Sequence, residues 1–275
     1  MRQQLTNNQL NDLVENFRIE ADQNPNMFSL SKLRDEQFLC EVLEEAKVDF
    51  DTDNLFIAAS QFIKRIGFLI VVPPLYNLTK HNHWLSANWS NQYIVPRVKN
   101  SKWVPSLYLD DLAVISIDET SETSRHKLLP QYLEQLFGDI AALIGFVSSI
   151  SRVPKPILWE NIAVYIYWLY EVKLSEETDE EIMARVHHDF HFLIYELEAE
   201  QFQESFQPLK RFHGIKRLVS LDAEPVRIRR TCCFYYEVNE SRNCCGNCPK
   251  SELNKAACRA TKDSLYERDM IRQKG

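Results

Sequence analysis

Glycine is scarce in this chain of 275 residues: six in all, at Gly67, Gly138, Gly145, Gly214, Gly246 and Gly275. They stand too far apart to form a loop of successive backbone N–H groups around a phosphate. Neither GxGxxG nor GxxxxGKS/T occurs, so no nucleotide or dinucleotide fingerprint can be drawn. GxSxG and HExxH are missing too, and nothing assembles a hydrolytic triad. No internal repeat or low-complexity tract interrupts the chain. Long apolar runs are also lacking: Phe68 to Tyr76 is short and holds Pro73-Pro74, and Ile140 to Ile150 is broken by Gly145 and two serines. The first eight residues, Met1-Arg-Gln-Gln-Leu-Thr-Asn-Asn, have no apolar core, so no secretory leader is read and a reducing cytoplasm is the expected compartment. An excess of positive charge is absent as well. The formal net charge of −7 argues against a general nucleic-acid binder, which needs a basic surface to neutralise phosphates.

Cysteine is present and unevenly spread. Five of the seven cysteines lie between Cys232 and Cys248, as Cys232-Cys233, Cys244-Cys245 and Cys248. A thiolate is a soft anionic ligand, and four of them complete a first shell around iron or zinc. In a reducing compartment such a cluster is more often a metal or redox site than a set of disulfides. Zinc is the main structural alternative. It usually takes two separated CxxC knuckles, or a knuckle with paired histidines. Here the upstream half is a vicinal pair, and no histidine follows His213. A basic cluster, Lys210, Arg211, Lys216, Arg217, Arg227, Arg229 and Arg230, comes just before the cysteines. It reads either as a face offered to an anion or as a solvated surface.

The rest of the pattern predicts an α+β fold, mainly helical, with a small antiparallel sheet and a C-terminal cysteine-rich segment. One domain is expected over 1–275, with parts at 1–125, 126–205 and 206–275. Leu10, Leu13, Val14 and Phe17 give an amphipathic helix between Leu5 and Ile19. Ser31 is the expected cap of a second helix, and a third runs from about Asp53 to a stop at Pro73-Pro74. Strands are read at Gln92–Pro96, Ser106–Leu109 and Leu112–Ile117. Helices follow from Pro130 to Ser151, Pro156 to Val172 and Thr178 to Glu198, the last capped by Thr178 with Glu181 three residues on. A strand over Val226–Tyr236 leads into the cysteines, and a terminal helix runs from Ser251 to Ile271.

A vicinal cysteine pair, a short gap and a CxxC ending in proline resemble the FhuF-type siderophore ferric-iron reductases. Arg230-Thr-Cys-Cys-Phe-Tyr-Tyr and Cys245-Gly-Asn-Cys-Pro are similar to that family's flanking residues. Ala59-Ser-Gln-Phe-Ile-Lys, Leu69-Ile-Val-Val-Pro-Pro-Leu-Tyr and Ile157-Leu-Trp-Glu-Asn-Ile-Ala stand in the corresponding order. The chain departs from the pattern in having eleven residues rather than ten between Cys233 and Cys245, with Cys244 as an extra thiol. The resemblance implies one [2Fe–2S] cluster held by Cys232, Cys233, Cys245 and Cys248. Gly246 is expected to give the knuckle its turn. The implied activity is single-electron reduction of a ferric siderophore in the cytoplasm or at the cytoplasmic face of the inner membrane. The electron donor is then an external protein or a reduced flavin. Arg227, Arg229 and Arg230 become candidates for docking the anionic complex and for raising the cluster potential.

Two other readings stay beside this one: a zinc-stabilised interaction protein and an iron–sulfur redox sensor. His187, His188 and His191 with Asp189 have metal-compatible spacing on a predicted helix, though a surface role is the simpler account. His81, His83, Trp84, Trp89, Tyr93 and Trp103 suit a siderophore cavity or ordinary core packing equally well.

Overall fold

Thr6 starts the first helix, α1 (Asn7–Phe17), through a reciprocal cap: its hydroxyl accepts from the Gln9 N–H, and the Gln9 side chain accepts from the Thr6 N–H. Leu13 and Phe17 turn inward. The expected cap at Ser31 is displaced. Ser29 instead starts a 3₁₀ turn (Leu30–Arg34), and the Asp35 carboxylate then takes the Phe38 N–H at 2.8 Å to open α2 (Glu36–Asp49). Asn54 opens α3 (Leu55–His81), one residue after the expected start. The computed structural model describes residues 2–86, 88–99, 102–117, 122–219, 224–238 and 243–256.

α3 does not stop at Pro73-Pro74. Both prolines lie inside it, and the helix continues to His81. An interior proline costs about 3 kcal/mol, but Leu69, Val71, Val72, Leu75, Tyr76 and Leu78 are all buried around the pair, and their burial holds the helix together. α3 is the central element, packed by α1 and α2 and by the later helices α4 (Glu122–Ser151), α5 (Lys155–Trp168) and α6 (Glu180–His191). By length and composition α3, and α4 from Arg125 to Ser151, could each cross a membrane. In the fold, most of the α3 window is covered by its neighbours. The approach of α3 to α5 depends on Gly67, where a Cβ would stand 2.7 Å from Ile162 Cγ1.

Pro130 proves internal to α4, and Pro156 sits in the first turn of α5 as expected. α6 is capped by Asp179, not Thr178: the carboxylate accepts from both the Glu181 and Ile182 N–H groups, which the less polar hydroxyl does less well. π-helical turns at Leu169–Lys173 and Phe192–Glu196 extend α5 and α6. A short α7 (Pro208–Phe212) follows.

The strands are short: β1 (Arg2–Gln4), β2 (Ile19–Glu20), β3 (Phe28–Ser29), β4 (His83–Leu85), β5 (Gln92–Val95), β6 (Val98–Lys99), β7 (Lys102–Trp103), β8 (Ser106–Leu109) and β9 (Ala113–Ser116). β1-β9-β4 form an antiparallel sheet, β6 and β7 a ribbon, and β2-β8-β5-β3 a second sheet in which β2 runs parallel to β8. The class is α+β and 61% helical. The expected single antiparallel sheet is therefore two sheets, one of them mixed. β5 pairs directly with β8, Gln92 opposite Leu109, whereas the turn at Asp110-Asp111 sends β9 to the other sheet.

The strand expected over Val226–Tyr236 is reduced to one bridge, Arg217 opposite Val226. Beyond it the backbone finds side-chain and loop partners instead of a ladder. The terminal helix begins at residues 252–256, where Lys255 N–H bonds to Ser251 O, and its remainder lies outside the described residues.

Candidate functional site

Three residues on α3 and two on α5 hold the cysteine segment. Ser60 and Gln61 both donate to the carbonyl oxygen of Cys233, and one turn further on Lys64 Nζ stands 3.4 Å from Cys233 Sγ. Positions 60 and 64 share a helix face, so the same surface fixes the backbone and the sulfur of one residue. On α5, the Glu160 carboxylate accepts from the N–H groups of Arg230 and Thr231, each at 2.7 Å, and from the Thr231 hydroxyl. Asn161 accepts from Arg229 Nη2 at 2.6 Å and donates to Ser60. Arg229, Asn161, Ser60 and Cys233 thus form one hydrogen-bonded chain across the helix pair. Glu160, Asn161, Ser60 and Gln61 are buried. Buried polar groups are usually hydrogen-bonded, and here the cysteine segment partners Ser60 Oγ, Gln61 Nε2, Asn161 Oδ1 and the Glu160 carboxylate, while Gln61 Oε1 has no partner among the described residues.

The knuckle is a turn in which Cys248 N–H bonds to Cys245 O at 2.9 Å. Buried Asn254 donates to the carbonyls of Gly246 and Cys248, and Arg229 N–H bonds to Asn247 O. Gly246 is not what makes the turn. None of the described glycines has positive φ, and a Cβ at Gly246 meets nothing within 4 Å. In the described part of the cysteine segment, the left-handed conformation falls on Phe234 (φ 62°). That backbone points its N–H at Cys232 Sγ, 3.3 Å away, and sets its ring edge-on to Phe56.

Cys233 and Cys248 are buried, Cys232 and Cys245 half-buried, and Cys244 exposed. Cys233 Sγ and Cys245 Sγ are 3.7 Å apart. Two thiolates on one tetrahedral metal with bonds of ~2.3 Å stand about 3.8 Å apart, so this pair has the separation of co-ligands. Cys232 lies near both Cys233 and Cys248, and Cys244 contacts Cys248 through its thiol. Lys250 N–H stands 3.4 Å from Cys248 Sγ. N–H groups aimed at sulfur are the contacts that stabilise thiolate ligands. Among the described residues, no three His, Cys, Asp or Glu side chains gather tightly enough to ligate one metal ion.

The thiols are electrostatically unequal. The Cys245 thiol hydrogen-bonds to Cys233, and this bond, with the charges of Lys64 and Arg229 and the Tyr235 N–H, holds the Cys233 thiol well below its ordinary range. The same bond, with burial, pushes Cys245 up. Burial pushes Cys232 up to about 11. The shift favours the thiolate form at Cys233 over Cys245, and a thiolate is the form that captures metal.

The three candidate arginines separate. Arg229 is buried, its Nε 3.7 Å from Glu160, and it serves the interior of the segment. Arg227 pairs with Glu171 and lies over the Tyr167 ring. Arg230 alone is exposed. The histidine group does not converge: His188 bonds Asp189, and His191 bonds Glu196. Of the aromatics proposed for a cavity, Trp84 lines a cleft of ≈ 380 Å³ with Arg2, Asn88, Asp111 and Gln135, away from the cysteines. Trp103 stacks on Phe62, and Tyr93 packs on Tyr108. Sequence reasoning assigned no role to Ser60, Gln61, Lys64, Glu160 or Asn161. The available signal was a Glu-Asn pair inside the apolar run Ile157–Ile166, since such residues are seldom buried without partners.

No protein-family model matches the chain, and no curated protein matches it.

Proposed function

We propose that this protein is a one-electron reductase of ferric siderophores, working in the cytoplasm through a [2Fe–2S] cluster on Cys232, Cys233, Cys245 and Cys248. The observation that carries the reading is the 3.7 Å separation of Cys233 and Cys245, with Cys232 and Cys248 beside them and N–H groups directed at both of those sulfurs. A zinc ion needs all four donors around one centre, whereas a two-iron cluster needs them only in twos. The Cys233–Cys245 pair has the spacing such sharing needs, and the cluster when bound supplies single electrons. An external protein or reduced flavin is the donor, because the chain carries no nucleotide fingerprint of its own.

The chain's own residues hold and tune the site. Ser60, Gln61 and Glu160 fix the backbone of residues 230–233, Asn161 holds the Arg229 side chain, and Lys64 and the N–H groups of Phe234 and Lys250 face sulfur. Exposed Arg230 and Lys250 give an acidic protein local positive charge at this face, which suits an anionic ferric complex. Fe³⁺ is gripped by the hard oxygen donors of a siderophore. One added electron makes it Fe²⁺, which the same donors hold far less well, and the metal leaves.

The test is anaerobic. Protein reduced by dithionite and freed of excess reductant is mixed with a ferric hydroxamate siderophore and an Fe²⁺ chelator. The reading predicts reoxidation of the protein with about one Fe²⁺ trapped per electron. A protein that binds iron and sulfide but is not reoxidised by any ferric siderophore is a sensor instead.

A further inference from the structure

Three cations near the cysteines have acidic partners: Arg229 lies against Glu160, Arg227 against Glu171, and Lys255 against Glu252, while exposed Lys250 bonds the Tyr236 hydroxyl. Lys64 does not pair with a carboxylate among the described residues. Its Nζ lies 3.4 Å from Cys233 Sγ and 5.0 Å from the centroid of the Tyr235 ring. The side chain is half-buried, and it rises from the same face of α3 as Ser60, which bonds the Cys233 carbonyl. The cation is therefore carried by the central helix that also tethers the Cys233 backbone. A charge held that way interacts more strongly than an exposed one and is screened less by salt.

We propose that Lys64 is the residue that sets the reduction potential of the cysteine centre, by holding a fixed positive charge against the Cys233 sulfur. The proposal rests on the [2Fe–2S] reading of the site. One electron arrives from the external donor, the centre gains one negative charge, and no bond is made or broken and no proton is required. Lys64 offsets that added charge, so the reduced form is favoured. Arg230, exposed and open to counterions, contributes little by comparison. Lys64 is a positioning residue for charge; nothing assigns it contact with the substrate.

The experiment is a redox titration of the anaerobically prepared full-length protein, followed by visible absorption at low and high salt. Wild type is compared with Lys64→Met, Lys64→Gln, Lys64→Arg and Arg230→Gln, with iron and sulfide quantified for each. The neutral Lys64 variants should keep their iron and sulfide. Their reduced-to-oxidised ratio at a fixed potential should fall at least about tenfold, a downward shift of about 59 mV for a one-electron couple. That shift should survive high salt, and Lys64→Arg should keep most of the wild-type potential. Arg230→Gln should move the ratio less than about threefold, and only at low salt. Unchanged potentials in both neutral variants overturn the proposal. So does loss of iron and sulfide from both, which would make Lys64 an anchor for the sulfur. A wild-type protein without iron and sulfide instead overturns the reading of the site itself.

Discussion

The carboxylate of Glu160 accepts the backbone N–H of Thr231 at 2.7 Å, seventy-one residues away in the chain, and so ties the central helix pair to the residue before the first cysteine. Its other oxygen takes the Arg230 N–H, and Arg229 lies 3.7 Å away. Glu160→Gln would turn an amide donor towards a set of donors and leave Arg229 buried without its counter-charge. A broken buried ion pair costs about 3–5 kcal/mol. We expect this variant to unfold at markedly lower urea concentration and to retain little metal. Unchanged stability and metal content would show that the segment is held elsewhere.

The two glycines of interest should behave oppositely. Gly67→Ala places a Cβ 2.7 Å from Ile162 Cγ1 between the two helices that carry the site, and overpacking of this kind costs about 1–3 kcal/mol. Gly246→Ala enters open space at an ordinary φ, so metal content and urea midpoint should stay at wild-type values. Loss of the centre in Gly246→Ala would mean that the bound state needs a backbone conformation different from this one.

On the proposed reading, Cys245 and Cys244 are the two candidates for one ligand position. Cys245 stands 3.7 Å from Cys233 and closes the knuckle through its carbonyl, while Cys244 is exposed against Cys248. Cys245→Ser should lose most iron, sulfide and visible absorption, and Cys244→Ser should keep them. The reverse result would show that the extra thiol is the ligand and that loop length decides the register.

Glu171 joins α5 to the basic segment through His213, Lys216 and Arg227. Burial opposes its ionisation, but hydrogen bonds from His213 and Lys216 and the charge of Arg227 prevail and bring it from 4.5 to about 2. Because the folded value is the lower one, the stabilisation is complete above the unfolded value of 4.5 and is lost as pH falls towards 2. Wild type should therefore exceed Glu171→Gln in unfolding free energy at pH 6.5, with the gap narrowing between pH 4.5 and 2. A gap independent of pH would contradict this linkage.

The cysteine segment and most helices were legible because they are written locally, in side-chain period, caps and thiol spacing. The roles of Ser60, Gln61, Lys64, Glu160 and Asn161 were not, because each is defined by a partner about 70 to 170 residues away. Ala59–Lys64 and Ile157–Ala163 had been singled out as blocks of resemblance, and their polar members prove to be the anchors of residues 230–233. Pro73-Pro74 misled through a local rule overridden by burial. The strand expected at Val226–Tyr236 failed because Glu160 and Asn247, and not a neighbouring strand, receive its N–H groups. Gly246 misled for another reason: a glycine inside the knuckle suggested that its turn needs extra backbone freedom, yet Gly246 has an ordinary φ, and the left-handed residue, Phe234, lies outside the knuckle.

The most direct test of the central claim is quantification of iron, acid-labile sulfide and zinc per chain after anaerobic purification. The account predicts about two iron and two sulfide ions, with negligible zinc and a brown-red colour. One zinc per chain, no sulfide and no visible absorption would contradict it.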